Sequence, residues 1–282
     1  YDYVACPIVY SGQKIKTEII SKSEKDLRIN LFIKYWGEED KLIKLSSDDF
    51  NLRSKENNTI EWVVPDTFAN PIGQIGISIN SDDNVSGKIL INYLNISGTP
   101  KMTFRRPDHI DEYKRGIFYK EEVYGQLWKR AWVNDVDKWQ YRHNESFKVV
   151  RGIGRGHIMT GSETWKDYTI SSKISIPLAS AAGLIVRSQG LKRYYSLELT
   201  SENKLKINKM EYELKTLNEI DFNLEYFKDY DLKFKVDGNK LQGYVDNQLL
   251  IEAEDSSNPF EEGMMGFLTE NGAIQSNSIS IE

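Results

Sequence analysis

Hydrophobic and polar residues alternate with a period of two along much of the chain, and residues 230–254 show this most clearly. Such alternation is typical of a strand with one buried face. Asp237-Gly238-Asn239 and Asp246-Asn247 tolerate positive φ, so the segment predicts three antiparallel strands joined by tight turns. The residues predicted to face inward are Leu232, Phe234, Val236, Leu241, Val245, Leu249 and Ile251. A meander of this kind needs a second sheet to cover its apolar face.

Similar alternation predicts strands on both sides of this meander. In the first hundred residues the predicted strands are 14–20, 27–35, 59–64, 73–80 and 87–97, with a turn at 81–84. In the second half they are 147–151, 157–160, 167–176, 182–188, 193–200, 204–210, 264–270 and 273–281. Short strands separated by polar turns, with almost no helical periodicity, predict an all-β fold of two antiparallel β-sandwiches. We predict one sandwich at 1–100 and a second at 139–282.

Residues 101–138 have a different pattern and are predicted to connect the two sandwiches. The part from 105 to 120 is charged and has neither strand nor helix periodicity. Residues 126–133 then place Leu127, Trp128, Ala131 and Trp132 at nearly helical spacing, which fits a short helix or an extra strand. So many aromatic side chains favour a segment that packs across both domains over a solvated linker.

Composition excludes several classes of protein. The net charge of −5 argues against nucleic-acid binding, which needs a basic surface. No apolar stretch is long enough to cross a membrane. Cys6 is the single cysteine, so no intrachain disulfide forms, and three histidines leave little material for a zinc site; no metal and no cofactor are predicted. The chain begins in a strand-like pattern with no signal peptide, as a piece of a longer protein would, and a cytoplasmic location is favoured, although a secreted protein can share these features.

The candidate ligand site lies on the outward phase of the strands in the second half. Sugar recognition needs flat apolar rings together with planar polar groups for the hydroxyls. The residues predicted to supply these on one water-facing sheet are Arg187, Tyr194, Ser196, Glu198, Gln242 and Tyr244. The alternative is an outer face with a salt bridge and tyrosines that serve solubility alone. Tyr35 and Trp36, beside an acidic turn, form a second candidate site, for which a simple hairpin tip is the alternative.

Two further sequence patterns are candidates for a phosphate-binding or catalytic role. Arg151-Gly152-Ile153-Gly154-Arg155-Gly156 has the glycine spacing of a phosphate-binding loop, but it does not open a helix, so a hairpin or β-bulge is favoured. Glu198 with a second carboxylate would form an acid–base pair for glycoside hydrolysis, which requires the two groups to lie within about 10 Å. No residue is predicted to be catalytic.

The first part of the chain, residues 1–100, resembles the galactose-binding-like jelly rolls found among carbohydrate-binding modules. The resemblance depends on Trp62-Val63-Val64-Pro65, on Ile75-Gly76-Ile77-Ser78-Ile79, and on the strand at 87–96 followed by Gly98. In such modules the last strand usually carries an acid where this chain has Asn92, so no calcium site is carried over.

Residues 139–282 resemble the concanavalin A-like, or laminin G-like, sandwiches, including those called 3-keto-disaccharide hydrolase-like. The ordered motifs that carry this are Trp165-Lys166-Asp167-Tyr168, Gly183 to Arg187, Tyr194 to Glu198, Val236-Asp237-Gly238, Gly243 to Asp246, and Asp255, Pro259, Gly263, Gly266 and Phe267. The wording GLIVRSQGLKRYYSLEL, with WKRAWVNDVDKW before it, is similar to the C-terminal region of bacterial ADP-ribosylglycohydrolase-family proteins. That resemblance implies a preceding helical, metal-binding catalytic domain, which this chain lacks.

Pattern and resemblance together predict a non-catalytic accessory region that binds a carbohydrate or an ADP-ribose-like sugar nucleotide. Its predicted partners are that ligand and the N-terminal catalytic domain of a parent chain. The alternatives are a glycoside hydrolase of the keto-sugar type and a purely structural or oligomerisation module.

Overall fold

The computed structural model describes residues 8–80, 86–108, 127–142 and 145–282. Within these ranges antiparallel strands make up nearly all regular structure, which confirms the all-β prediction. The turn predicted at 81–84 and much of the predicted connector lie outside the described residues. No helix in the described ranges is long and apolar enough to cross a membrane.

The N-terminal sandwich packs two small sheets against each other. Its strands are β1 (Lys14–Ser21), β2 (Leu27–Trp36), β3 (Leu42–Ser46), β4 (Phe50–Leu52), β5 (Asn57–Val63), β6 (Ile72–Asn80) and β7 (Ile89–Ser97). One sheet has the order β5–β1–β7, and in the other β2 pairs with β3, β4 and β6. The alternation predicted for β2 is observed, because Ile29, Leu31 and Ile33 are fully buried between the sheets.

The C-terminal part contains one short helix and the remaining strands. The elements are β8 (Met102–Phe104), α1 (Leu127–Arg130), β9 (Val133–Asn134), β10 (Lys138–Arg142), β11 (Glu145–Thr160), β12 (Tyr168–Leu178), β13 (Ala181–Ser188), β14 (Arg193–Thr200), β15 (Lys204–Glu211), β16 (Glu213–Asp221), β17 (Asp229–Asp237), β18 (Lys240–Val245), β19 (Gln248–Glu254), β20 (Met264–Ser276) and β21 (Ile279–Ile281). The sequence pattern missed β16, because this edge strand is exposed at most positions and shows no alternation.

Two long strands, β11 and β20, join the two layers of this sandwich. Residues 155–160 of β11 pair with 265–270 of β20 in the first layer, and residues 147–151 pair with 272–276 in the second. The sequence predicted two short strands in each place, and this was wrong because each strand bends and continues. The bend in β11 is a register shift between Arg151 and Arg155, so of the hairpin and the bulge predicted as alternatives for the glycine motif, the structure has the bulge.

We name the layers by their central strands. The β14 sheet has the order β9–β11–β20–β13–β14–β15–β16, and the β17 sheet has the order β10–β11–β20–β12–β17–β18–β19, with β21 paired to β12 and β8 paired to β21. The main hydrophobic core lies between their inner faces. At one edge the layers meet where Asn218 of β16 donates a side-chain hydrogen bond to the Glu252 carbonyl of β19, at 2.7 Å.

Aromatic side chains from the predicted connector pack into this core. Trp128 and Trp132 are buried there with Phe104, and Trp132 meets Phe104 edge-on at 5.8 Å between ring centroids. Tyr10, which precedes the first strand of the N-terminal sandwich, meets Trp165 edge-on at 4.8 Å. Edge-to-face pairs of this kind add to the free energy of burying the rings. The domain boundaries at residues 100 and 138 stay predictions. The contact between Tyr10 and Trp165 shows that side chains near the N-terminal sandwich pack into the core of the C-terminal one.

The predicted inner face of the meander is observed with one exception. Leu249 was expected inside, but its side chain is 43% exposed. The register shifts between Gly243 and Tyr244, so Tyr244 pairs with Leu249 and Gly243 with Ile251. A bulge adds one residue to one strand, and this reverses the side on which the following side chains lie.

Candidate functional site

Arg187 is part of the protein interior and does not lie on an open surface. Its side chain is 1% exposed, which corrects the expectation that it faces water. The guanidinium donates hydrogen bonds to the carbonyl oxygens of Lys166, Gly238 and Phe260 and to the carboxylate of Asp167. Its φ of +47° interrupts the strand alternation that had predicted an outward side chain. Arg187 therefore ties three loops together at the end of the core.

Tyr194, Ser196 and Glu198 share the outer face of the β14 sheet, as their phase predicted. They are nevertheless 0%, 0% and 1% exposed, so the expected water-facing wall is not found at these positions. Tyr194 lies in a small outer cluster of buried apolar side chains with Met159, Ile185 and Leu268. The prediction of their orientation from strand phase was sound, while exposure depends on neighbours that strand phase does not specify.

Gln242 and Tyr244 lie on the other side of the sandwich. Gly243 between them faces inward, where a Cβ would come within 2.5 Å of the Leu197 side chain of β14. Gln242 and Tyr244 therefore point outward from the β17 sheet, while Ser196 and Glu198 point outward from the β14 sheet. The six residues predicted to form one site are thus divided between two opposite faces and the interior.

The second predicted site is also divided. Tyr35 is buried in the core of the N-terminal sandwich. Trp36 is half-buried and lies against Gly73, whose added Cβ would be 2.5 Å from the indole Nε1. Alternation along β2 explains the difference, because consecutive residues point to opposite faces.

An ionic network on the outer face of the β14 sheet is the candidate site that the structure itself provides. The Arg155 guanidinium donates two parallel hydrogen bonds to Glu198, of 2.8 and 2.9 Å, and its Nε lies 2.9 Å from Glu270 Oε2. Bidentate contacts of this kind fix geometry as well as charge. Glu198 is fully enclosed, whereas the Arg155 and Glu270 side chains are partly open to solvent. In this network Glu198 is therefore buried, while Arg155 and Glu270 are accessible to solvent.

The protonation state of Glu198 follows from its neighbours. Burial alone raises the pKa of this carboxyl group, but hydrogen bonding and charge from Arg155 outweigh that effect. Hydrogen bonds from Ser196 and Asn208 act in the same direction, and the pKa of Glu198 lies below its ordinary value. Glu198 is therefore ionised at neutral pH and accepts hydrogen bonds.

His157 and Tyr194 extend the network deeper into the protein. His157 Nε2 lies 3.0 Å from the Tyr194 hydroxyl, and His157 Nδ1 lies 4.0 Å from Asp135 Oδ2, too far for a hydrogen bond. Burial lowers the pKa of His157 to about 4 and raises that of Tyr194 to about 12. Both side chains are therefore neutral near pH 7.

Arg155 was missed by the sequence analysis although it lies within the glycine motif examined there. After the bulge, Arg155, His157 and Met159 alternate on one face of β11, and that face is shared with Glu198. Residue spacing in the motif indicated only a hairpin or a β-bulge. The contact with Glu198 depends on the pairing of β11 with β20, of β20 with β13 and of β13 with β14, which joins residues far apart in sequence. The same pairing places Glu270 beside Arg155, with the two residues directly opposite in register.

Metal ligands do not gather around this network. Across the described ranges, no group of three or more His, Cys, Asp or Glu side chains is arranged to hold a metal ion. The chemistry available at the network is that of ionised and neutral hydrogen-bonding groups. Such groups bind and orient polar ligands such as sugars.

No family model matches the sequence, and no curated protein matches it. Among solved structures, the chain is similar to the carbohydrate-binding module CBM66 from Bacillus subtilis, with 22% identity over 54% of this chain and 95% of that chain, at a TM-score of 0.49. It is also similar to a protein of unknown function with a galectin-like fold from Bacillus subtilis, with 10% identity over 55% and 90% of the two chains, at a TM-score of 0.46.

A third similar structure covers more of this chain. It is a GH43 protein, BlXynB, from Bacillus licheniformis, with 16% identity over 74% of this chain and 46% of that chain, at a TM-score of 0.44. All three similarities are remote. The class defined here is an all-β protein with a β-sandwich that carries a charged network on one outer face.

Proposed function

We propose that the chain is a non-catalytic carbohydrate-binding region and that Arg155, Glu198 and Glu270 form the centre of its site. The observation that carries this is the shared guanidinium, which holds two carboxylates in fixed positions on a sheet face. Glu270 and Arg155 reach solvent there, while Glu198 is held beneath them. A sugar presents vicinal hydroxyls that donate to carboxylates and accept from guanidinium, so the three groups complement it.

Energetics support a functional role for this network. Taking ionised groups out of water costs free energy, and an apolar cluster of similar volume often stabilises a fold equally well. Met159, Ile185 and Leu268 show that the same face accommodates apolar packing nearby. Buried groups with shifted pKa values concentrate at functional sites. Ligand binding therefore accounts for charges that stability alone does not require.

The ionised state of Glu198 argues against its use as a general acid. A glycoside hydrolase needs one carboxyl group that keeps its proton to serve as the general acid. Arg155 acts against that role at Glu198 by stabilising the charged form. The keto-sugar hydrolase stays an alternative, and it predicts release of chromophore from a chromogenic glycoside.

Two narrower proposals concern the ligand and the partner. The ligand is a sugar or an ADP-ribose-like sugar nucleotide, and the partner is the catalytic domain of an ADP-ribosylglycohydrolase-family parent. Their support is the sequence similarity in residues 128–139 and 183–199. Calorimetric titration with ADP-ribose and, separately, with simple sugars tests whether the ligand is a sugar nucleotide or a carbohydrate in general.

The test uses Glu270→Gln, because Arg155→Ala would leave Glu198 buried without its partner and endanger the fold. A glycan array first selects a sugar, and calorimetry then compares the variant with the native chain. We expect affinity to fall about tenfold or more, since a charged hydrogen bond contributes about 1.5–3 kcal/mol. Glu213→Gln, on exposed β16, is the matched control and is expected to bind normally. Unchanged affinity in Glu270→Gln, or no binding of any sugar or sugar nucleotide by the native chain, would refute the proposal.

A further inference from the structure

A cleft between the two sandwiches has the features of a second binding site, on the face opposite the Arg155 network. Its volume is about 520 Å³, and it is lined by a loop of the N-terminal sandwich and by the outer face of the β17 sheet. The loop contributes Phe68, and the sheet contributes hydroxyl and lysine side chains. A concave surface with one aromatic ring and several polar groups is typical of small-molecule and sugar sites.

The floor of the cleft is a row of side chains across neighbouring strands, from Thr103 to Lys233, and the row continues beyond the cleft to Tyr244. Thr103 is opposite Ser280, Ser280 opposite Ser171, Ser171 opposite Lys233, and Lys233 opposite Tyr244. The Thr103 and Ser280 hydroxyls lie 2.8 Å apart, and Lys233 Nζ lies 5.8 Å from the Tyr244 ring centroid. With strands about 4.8 Å apart, the row is roughly 19 Å long. A ligand that fills it is therefore an extended chain.

Phe68 forms the aromatic wall and is held there by a strained loop. The side chain is 61% exposed, and Phe68 and Ala69 both have positive φ, of 53° and 65°. Bulky residues rarely adopt this conformation, and such strain concentrates at functional sites. The loop is fixed by hydrogen bonds from Phe68 N to Asp66 Oδ1 and from Thr67 Oγ1 to the Asn70 carbonyl, at 2.9 and 2.7 Å. These contacts hold an exposed ring in place without burying it.

The charges around the cleft favour an anionic ligand. Lys101 and Lys233 line it, with the carboxylates of Asp66 and Glu282 and with Arg105, whose guanidinium is paired with Asp108. Within the described part of the chain, neither Lys101 nor Lys233 has a carboxylate at ion-pair distance, whereas Asp66 is engaged with its own loop. Lys101 and Lys233, beside a row of hydroxyls, therefore offer charge-assisted hydrogen bonds to acidic groups.

We propose that this cleft binds an extended polysaccharide that carries carboxylate or sulfate groups. Phe68 offers a ring face within the cleft, and Tyr244 offers a second one beside Lys233, just beyond it. Thr103, Ser280 and Ser171 bind hydroxyls, and Lys101 and Lys233 bind the acidic groups. The proposal does not depend on the Arg155 site, because the two lie on opposite outer faces of the C-terminal sandwich.

The test is titration of the whole chain with polygalacturonate, heparin and dextran, which supply carboxylate, sulfate and no acidic group. We expect one or both acidic polymers to bind and affinity to fall as salt is raised. Lys233→Gln is expected to weaken binding about tenfold. Lys235→Gln is the matched control, since it lies two residues further on the same face, pairs with Asp237, and is outside the cleft.

A second variant, Phe68→Gly, removes the aromatic ring without straining the backbone. Glycine adopts positive φ readily, so Phe68→Gly keeps the loop conformation and is expected to weaken binding severalfold. Glu270→Gln is expected to bind the acidic polymers normally, which separates this site from the Arg155 site. Equal binding of dextran would overturn the assigned ligand class. Native affinity in both Lys233→Gln and Phe68→Gly, or no binding of any polymer, would overturn the site.

Discussion

Replacement of Arg187 by alanine distinguishes a structural role from a ligand-binding role for this residue. The side chain donates to three backbone carbonyl oxygens, a buried one at Phe260 and partly buried ones at Lys166 and Gly238. Alanine removes all of these donors and leaves a cavity at the end of the core. Buried carbonyl groups without a partner cost about 1–3 kcal/mol each, although such costs do not add fully.

The expected loss of stability follows from these contacts. The ion pair with Asp167 adds little, because that carboxylate is largely exposed. The orphaned Phe260 carbonyl, the two partly buried carbonyls and the cavity together suggest a loss of about 4 kcal/mol in the free energy of unfolding. For a domain of this size that corresponds to a fall in Tm of roughly 8–16 °C. Arg187→Lys is expected to lose less, since an ammonium keeps the charge but lacks the planar fork.

The measurement is urea unfolding followed by tryptophan fluorescence, with calorimetry for Tm. Arg193→Ala is the matched control, because Arg193 is partly exposed and pairs with Glu211 at the surface, and its loss is expected to be under about 1 kcal/mol. If Arg187→Ala unfolds like the native chain but loses sugar binding, the structural role is refuted and the surface role predicted from strand phase is restored.

Two further predictions concern stability. Because burial lowers the pKa of His157 to about 4, against about 6.5 when unfolded, the unfolded chain binds the extra proton between these values. Stability is therefore expected to fall by about 3 kcal/mol as pH drops from 6.5 to 4, and urea unfolding should show a flatter pH profile in His157→Gln; equal profiles would contradict the burial of a neutral imidazole. Ile251→Ala is expected to cost about 2–4 kcal/mol, while Leu249→Ala changes the free energy of unfolding by less than about 0.5 kcal/mol. Equal losses would mean that the bulge in β18 and β19 is misplaced.

The alternation of apolar and polar residues located most strands correctly, because consecutive residues of a strand face the core and the solvent in turn. Alternation failed to predict which side chains face inward at two kinds of position. At Leu249 a bulge shifts the strand register, and at Arg187 the backbone has a positive φ. Alternation also missed β16, an edge strand that is exposed at most positions. These failures share one cause, since bulges and edges depend on the partner strand.

The candidate sites required the tertiary structure for a related reason. Arg155, Glu198 and Glu270 are separated by many residues, and only the pairing of β11, β20, β13 and β14 brings them into contact. Likewise, the row from Thr103 to Tyr244 follows hydrogen-bonded register across five strands. The sequence by itself determined that the chain forms β-sandwiches with buried alternating faces, because the hydrophobic effect acts on a period that consecutive residues reveal. Which polar side chains meet, and which remain open to water, was decided by strand order and register, since those contacts join residues that are distant along the chain.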